Sequence, residues 1–118
     1  MAEEASHLTV TESDGVHVVE LTDRRIIEEL VIAEIGDALS SLIAATPNIK
    51  LLLTFRQVQH LSSAALGMLI KLQKEVGEAA GRLKLSDISP QIFEVFKITR
   101  LNKLFDIHST RDEALAGF

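Results

Sequence analysis

The fold of this chain is decided by residues 49–70, which combine a strand, a loop and the start of a helix. Ile49-Lys-Leu-Leu-Leu-Thr-Phe55 is a continuous apolar run, which is typical of a strand covered on both faces. The polar loop Arg56-Gln-Val-Gln-His60 follows it. Ser62-Ser63 then opens a helix that we expect to continue to Ala80. The buried side of this helix is predicted to carry Leu66, Leu69, Ile70 and Val76.

The elements before this unit begin with a hairpin. Leu8–Ser13 and Val16–Leu21 are short and β-branched, and the Asp14-Gly15 turn between them favours antiparallel pairing. Apolar residues then recur every three or four positions from residue 26 to residue 46, which predicts a helix that ends before Pro47. Its predicted apolar face consists of Ile27, Val31, Ile35, Ala38, Leu42 and Ala45.

Strands and helices continue to alternate after residue 80. Gly81 is predicted to end the long helix as its C-cap. We then expect a strand at Arg82–Ile88, a short helix from Pro90 to Ile98, a strand at Leu104–His108 and a helix at Thr110–Ala116. The order predicts one α/β domain over residues 1–118, with a mixed four- or five-stranded sheet opened by a β-hairpin and about four helices.

Composition limits the class of protein. The chain has 118 residues, of which 47% are apolar, and this suits one globular domain with its own core. It has no cysteine, which excludes disulfides, thiolate metal sites and a cysteine nucleophile. Its apolar runs are far shorter than the roughly 20 residues of a membrane span, and residues 1–5 do not resemble a secretory leader. We therefore expect a cytoplasmic protein without membrane insertion.

Charge is divided unevenly along the chain. The net charge is −5, with ten acidic and two basic residues up to residue 46 and seven acidic and ten basic residues after it. The total disfavours nucleic-acid binding, because phosphate contacts need a basic stripe. The asymmetry has two interpretations, a solvated acidic helix face or one end of the molecule set up for a charged partner.

Enzyme motifs are missing from the sequence. The histidines, at positions 7, 17, 60 and 108, lack metal-ligand spacing, and single glycines form neither a P-loop nor a dinucleotide fingerprint. A Ser63–His60 nucleophile pair is conceivable, but no carboxylate orients the histidine and no Gly-x-Ser-x-Gly elbow surrounds the serine. We therefore expect no catalytic activity, no metal and no cofactor.

Two serines stand where the loop meets the long helix. One serine before an apolar-periodic run is explained by helix capping. Ser62 and Ser63 together leave a spare hydroxyl at the positive end of the helix, where free N–H groups and the helix dipole would receive a phosphate well. From the residues alone, capping remains the simpler interpretation, and a modification site is the alternative.

The sequence around these serines resembles the signature of STAS domains, the bacterial anti-sigma factor antagonists. In that family a strand and a short loop lead into Asp-Ser-Ser/Thr-Gly-Leu-Gly at a helix start, and this chain has Phe55-Arg-Gln-Val-Gln-His-Leu-Ser-Ser-Ala-Ala-Leu-Gly-Met-Leu-Ile70. The resemblance continues through Ala80–Pro90 and through Val95–Ile107, which is similar to the family ending Gly-Leu-x-x-x-Phe-x-Ile. It spans nearly the whole chain.

The resemblance implies a phosphoacceptor at Ser63, with Ser62 as the less favoured candidate. Alignment on Leu66-Gly67 puts Ser62 where the family has Asp, and Ala64 and Ala65 where it has Ser or Thr and then Gly. Thr54 also replaces an Asp that often ends the preceding strand. Two acidic neighbours are therefore missing. Either the kinase is adapted to a less acidic surface, or the protein has kept docking and lost the switch.

The function that the resemblance implies is regulation by partner exchange. The unmodified protein would bind a serine kinase that is also an anti-sigma factor, release the sigma factor, and be switched off by phosphorylation until a PP2C-type phosphatase restores it. The partner-binding residues would be His60, Leu61, Ser62, Ser63, Ala64, Ala65, Leu66 and Met68. The alternative is a non-switching STAS scaffold subunit, either stressosome-like or accessory to a lipid transporter.

Overall fold

The computed structural model describes residues 3–4 and 7–118, and its main element is a mixed six-stranded sheet. The strands are β1 (Glu3–Glu4), β2 (Leu8–Ser13), β3 (Val16–Leu21), β5 (Lys50–Thr54), β7 (Arg82–Ser86) and β8 (Asp106–His108), in the spatial order β1-β2-β3-β5-β7-β8. The β1–β2 and β2–β3 pairs are antiparallel, and the β3–β5, β5–β7 and β7–β8 pairs are parallel. The predicted mixed sheet with its opening hairpin is confirmed, and it has one strand more than the four or five predicted because the two-residue strand β1 pairs with β2. The expectation that residues 1–5 are not a secretory leader involves residues 1, 2 and 5, which lie outside the described residues.

Four helices complete the domain: α1 (Glu29–Ala45), α2 (Ser63–Glu78), α3 (Pro90–Ile98) and α4 (Arg111–Ala116). A short 3-10 turn, Leu101–Lys103, follows α3. The first three helices pack on one face of the sheet, while Ala114 of α4 packs against Val18 and Leu52 on the other face. Strand β5 is consequently buried on both sides, as its apolar run predicts.

The helix faces differ from the sequence expectation. In α1 the buried residues are Ile32, Ile35, Leu39 and Ile43, so only one of the six predicted positions is fully buried. Ile27 is 41% exposed, because residues 25 and 26 form a separate strand and the helix begins only at Glu29. In α2, Ile70 is 40% exposed, and Leu72 occupies the core in its place. Both helices were found, but the apolar stripe of each was partly misplaced.

A second, two-stranded sheet was missed by the sequence analysis. Strand β4 (Arg25–Ile26) pairs parallel with β6 (His60–Leu61). The pairing continues into the helix start, since the Ser62 N–H donates to the Ile26 carbonyl at 3.1 Å. Two-residue strands carry no periodicity, so no pattern could reveal them. This small sheet fixes the position of the loop that leads into α2.

The C-terminal end of α2 also differs from the prediction. Ala80, rather than Gly81, takes the left-handed conformation, with φ 56°. The Gly81 N–H donates to the Val76 carbonyl and the Ala80 N–H to the Gly77 carbonyl, which together form a Schellman motif. Gly81 serves a different purpose: a Cβ there would lie 2.5 Å from the Ile49 carbonyl oxygen. Glycine is needed at position 81 for close packing against β5.

Candidate functional site

The joint between β6 and α2 assigns different tasks to the two serines. Ser62 is the N-cap of α2, in an extended conformation, and its Oγ accepts a hydrogen bond from the Ala65 N–H at 3.1 Å. Its carbonyl oxygen accepts the first bond of the helix, from the Leu66 N–H. Ser62 is half-buried and supplies the whole cap.

Ser63 is the first residue of the helix and is exposed. Because Ser62 caps the helix, the hydroxyl of Ser63 is not required for this purpose. The N–H groups of Ser63 and Ala64 stand ahead of the first intrahelical bonds, where the positive end of the helix dipole lies. The spare hydroxyl expected from two consecutive serines is therefore the hydroxyl of Ser63, at a place suited to an anionic group.

The small sheet brings a second stretch of sequence to this joint. Arg25 pairs with His60 and Ile26 with Leu61, so Arg25 and His60 lie side by side, and both are exposed. Ile27 follows next to the start of α2 and is partly exposed. Sequence reasoning missed Arg25 and Ile27 because they lie more than thirty positions from the serines, and only the β4–β6 pairing brings them close.

The structure corrects the predicted partner surface at two residues. Ala65 is 0% exposed and Leu66 only 7%, because both side chains face the core beneath α2. They can position the surface but cannot contribute to it. Met68 is half-buried against α1, where a Cβ on Gly36 would lie 3.2 Å from its Cγ. Ser63, Ala64 and His60 are exposed, and Leu61 and Ser62 are half-buried.

A separate polar pocket lies at the carboxyl ends of β3, β5 and β7. It has a volume of about 280 Å³ and is lined by Glu20, Thr54, Arg56, Asp87, Thr110, Arg111 and Asp112. Thr54, which replaces the acidic residue of the family pattern, is buried and donates from Oγ1 to Asp87 Oδ2 at 3.2 Å. Ser86 Oγ donates to the same oxygen at 2.7 Å. A carboxylate is therefore present at the end of the sheet, but it comes from the neighbouring strand.

The Glu20 carboxylate in this pocket already has two partners. The Gln57 amide donates to Glu20 Oε2 at 2.6 Å, and the Arg56 guanidinium does so at 3.0 Å. These bonds, the one from Gln57 foremost, hold the pKa of the Glu20 carboxyl below its ordinary value despite partial burial. Because Glu20 is paired with Arg56 and Asp87 already accepts from two hydroxyls, the pocket is a weaker candidate for ligand binding than the exposed serine.

The nucleophile pair considered from the sequence does not form among the described residues. No hydrogen bond joins His60 to Ser63, and the side-chain hydrogen bond at this joint is the N-cap bond of Ser62. Over residues 3–4 and 7–118, no three histidines or carboxylates come together as a metal site. No helix in that same part of the chain is long and apolar enough to cross a membrane.

The parallel strands, the helices on one face and the exposed serine at a helix start define a class of small α/β domains. Within that class, the chain belongs to the STAS domain family, whose model matches residues 7–114. A Bordetella bronchiseptica protein named as an anti-sigma factor antagonist, BtrV, is 28% identical over 69 residues. That match covers 58% of this chain and 60% of the relative's length.

Two solved structures show the same fold. An anti-sigma factor antagonist (STAS) domain protein from Planctomyces limnophilus superposes with a TM-score of 0.85 at 23% identity, over 93% of this chain and 96% of that one. The Bacillus cell fate determinant SpoIIAA in its phosphorylated form superposes with a TM-score of 0.68 at 20% identity, over 92% and 96%. The predicted family and fold are confirmed by these matches.

Proposed function

We propose that this protein is an anti-sigma factor antagonist, switched by phosphorylation of Ser63. In the unmodified state it binds a serine kinase that is also an anti-sigma factor. This binding displaces the sigma factor that the kinase was holding. Transfer of phosphate to Ser63 ends the binding, and a PP2C-type phosphatase restores it. The protein acts in the cytoplasm as the substrate of the kinase, and it is not itself an enzyme.

The observation that carries this proposal is that Ser62 caps the helix while Ser63 does not. Ser62 caps α2 through the Ala65 N–H, and this leaves Ser63 exposed with a hydroxyl that the fold does not need. A phosphoacceptor must be reached by a kinase, and its modification must leave the domain folded. Ser63 meets both conditions, whereas phosphate on Ser62 would remove the cap.

The surroundings of Ser63 explain how a phosphate could act as a switch. Ala64 and Gly67 are exposed and small, so a partner can approach the start of α2 closely. A phosphoserine adds roughly −1.5 to −2 charges and must be desolvated when a partner covers it. The modified group is also held by the free N–H groups of α2, which keeps it in the interface. Docking is therefore opposed without any change of fold.

The acidic neighbours that the family pattern has are replaced here by the neutral residues Ser62 and Thr54. Arg25 and His60 are exposed beside the serine, and Ser62 occupies the usual place of Asp. We expect the surface of the cognate kinase at this contact to be less basic than that of a kinase that recognises the acidic family signature. The relative named BtrV supports the general role, and the SpoIIAA structure supports a phosphorylated state for a protein of this fold.

The test measures binding of the kinase purified from the same host to five forms of the protein. Wild type and Ser63→Ala should bind alike, and Ser63→Ala should remain bound when ATP and Mg²⁺ are added. Ser63→Asp should bind more weakly, although less weakly than the phosphoprotein, because aspartate carries one charge. Ser109→Asp is the matched control, since Ser109 is exposed near α4 and the charge change is the same.

Loss of binding by Ser109→Asp as well as Ser63→Asp would show a non-specific charge effect. Release of Ser63→Ala by ATP would place the modified residue elsewhere, with Ser62 as the first alternative. Binding that is indifferent to ATP in every form would favour the scaffold subunit, which docks without a switch.

A further inference from the structure

The two most exposed large apolar side chains of the described residues, Ile98 and Leu30, lie among charged residues of opposite sign. Leu30, on the outer face of α1, is 70% exposed. Ile98, at the end of α3, is 78% exposed, and Leu104 beside it is 44% exposed. Large apolar side chains as exposed as these, when grouped and rimmed by charge, mark interaction surfaces.

The acidic surface consists of Glu29, Leu30, Ala33, Glu34 and Asp37 on α1. These residues are exposed and lie opposite the buried stripe of the helix. No basic residue occurs in the sequence between Arg25 and Lys50, so nothing on α1 offsets the three carboxylates. Glu34 accepts from His7 Nε2 at 2.7 Å, which places this surface over the β2 side of the sheet.

The basic surface consists of Lys97, Ile98, Arg100, Lys103 and Leu104. All five are exposed, and they lie at the end of α3 and along the 3-10 turn. The Leu104 carbonyl accepts from Gln73 Nε2 at 2.9 Å, so the turn is fixed beside α2. Lys97 pairs with Glu94 at 3.3 Å, while the structure records no ion pair between Arg100 or Lys103 and any described residue.

Arg100 occupies its position at a conformational cost. Its φ is 61°, in the left-handed region where glycine would be relaxed and other residues are strained. The position is the left-handed residue that ends α3: Arg100 follows the C-cap residue Thr99, and its N–H donates to the Lys97 carbonyl at 3.1 Å. Its basic side chain is exposed at the end of the helix that also carries exposed Ile98.

We infer that the basic surface of one molecule binds the acidic surface of a second copy of this chain. Each surface has an apolar centre and three charges, and the charges are of opposite sign. The Glu34–His7 pair places the acidic surface near β2, and the turn after α3 contacts β8 at the other end of the sheet order, so the two surfaces lie apart and do not pair within one molecule. The contact is therefore head to tail and, unless it closes, builds open chains.

This association is weak and depends on ionic strength. Both surfaces are small, and exposed charge pairs contribute little individually and are screened by salt. One of its two surfaces begins next to Ile27 and Ser63, so a partner docked at the serine would compete with it. Association of the unmodified protein needs no kinase, so it can be tested independently of the phosphorylation switch.

The experiment is analytical ultracentrifugation of the full chain from micromolar to millimolar concentration, at low and at high salt. Wild type should gain mass with concentration at low salt and remain monomeric at high salt. Arg100→Glu with Lys103→Glu reverses the basic surface, and Glu29→Lys with Asp37→Lys reverses the acidic one. Each double variant alone should associate at least about tenfold more weakly, since attraction becomes repulsion. An equimolar mixture of the two should recover association, because both kinds of contact are then matched.

Arg100→Gly is the control for folding, because it relaxes the backbone while removing one charge. It should unfold at a higher temperature than wild type and associate less. A wild type that stays monomeric at every concentration would overturn the proposal, and so would a mixture of variants that stays monomeric. Co-sedimentation of monomeric wild type with phosphatidylglycerol vesicles, lost in Arg100→Glu with Lys103→Glu, would assign the basic surface to anionic lipid instead.

Discussion

The two ends of α2 satisfy their free backbone hydrogen-bonding groups in different ways. At the N-terminal end a side chain, Ser62 Oγ, satisfies a free N–H, and the next residue remains exposed. At the C-terminal end the backbone itself satisfies the free carbonyls, and Gly81 is pressed against the Ile49 carbonyl. The exposed position 63 at one end is therefore open to substitution without loss of packing, while Gly81 at the other end tolerates no side chain. The difference indicates where this domain can carry function.

The largest effect is expected at the packed end, for Gly81→Ala. The added methyl would lie 2.5 Å from the Ile49 oxygen and would disturb the bond from the Arg82 N–H to that oxygen, 2.7 Å long. The free energy of unfolding should fall by about 2 to 3 kcal/mol, because overpacking of a rigid site destabilises the folded state. Urea denaturation measures it. Gly77→Ala, on the same helix with open space around it, is the control and should gain about 0.5 to 1 kcal/mol.

The next effect concerns the cap at the other end. Ser62→Ala should lower the unfolding free energy by about 1 kcal/mol, because the Ala65 N–H loses its partner. Ser62→Asp should keep the stability of the wild type, since aspartate caps a helix equally well. Equal stability of Ser62→Ala and wild type would mean that the observed cap contributes nothing in solution.

A gain of comparable or smaller size is expected from Ala80→Gly. Ala80 has φ 56°, a conformation that costs an alanine more than a glycine. Part of the gain is lost to the greater freedom of glycine in the unfolded chain, which leaves about 0.5 to 1 kcal/mol of added stability. Thermal unfolding is a sufficient measurement, and a destabilised Ala80→Gly protein would contradict the Schellman motif described here.

The smallest effect on stability is expected for Ser63→Ala. Its hydroxyl is exposed and Ser62 supplies the cap, so the unfolding free energy should change by less than about 0.5 kcal/mol. The same variant should abolish phosphorylation. Denaturant titration combined with a kinase assay separates these readouts, and a clear destabilisation by Ser63→Ala would show that the two serines share the cap.

The sequence predicted those parts of the fold that rest on pattern and turn chemistry. Strands β2 and β3 lie at the predicted residues, since the Asp14-Gly15 turn fixes the hairpin register. Pro90 occupies the first turn of α3, with Ser89 as its cap. The fully buried β5 follows from its continuous apolar run.

The remaining differences have physical causes that a linear pattern does not contain. The stripe of α1 was misplaced because that helix is apolar on several sides, so periodicity alone does not choose its buried face. The C-cap was assigned to Gly81 because glycine is the usual left-handed residue, whereas tertiary packing required it one position later. At the site, the spacing of the family signature predicts Ser63, whereas Arg25 and Ile27 are brought there only by the tertiary pairing of β4 with β6.

The central claim is that Ser63 accepts a phosphate and Ser62 does not. The most direct measurement is intact-mass and peptide mass spectrometry of the protein purified from its own host, under growth conditions that do and do not provoke stress. We predict a fraction that is heavier by one phosphate group, with fragmentation placing it on Ser63, and the proportion should differ between conditions. Peptides covering residues 57–71 that never carry phosphate, or that carry it on Ser62, would contradict the account.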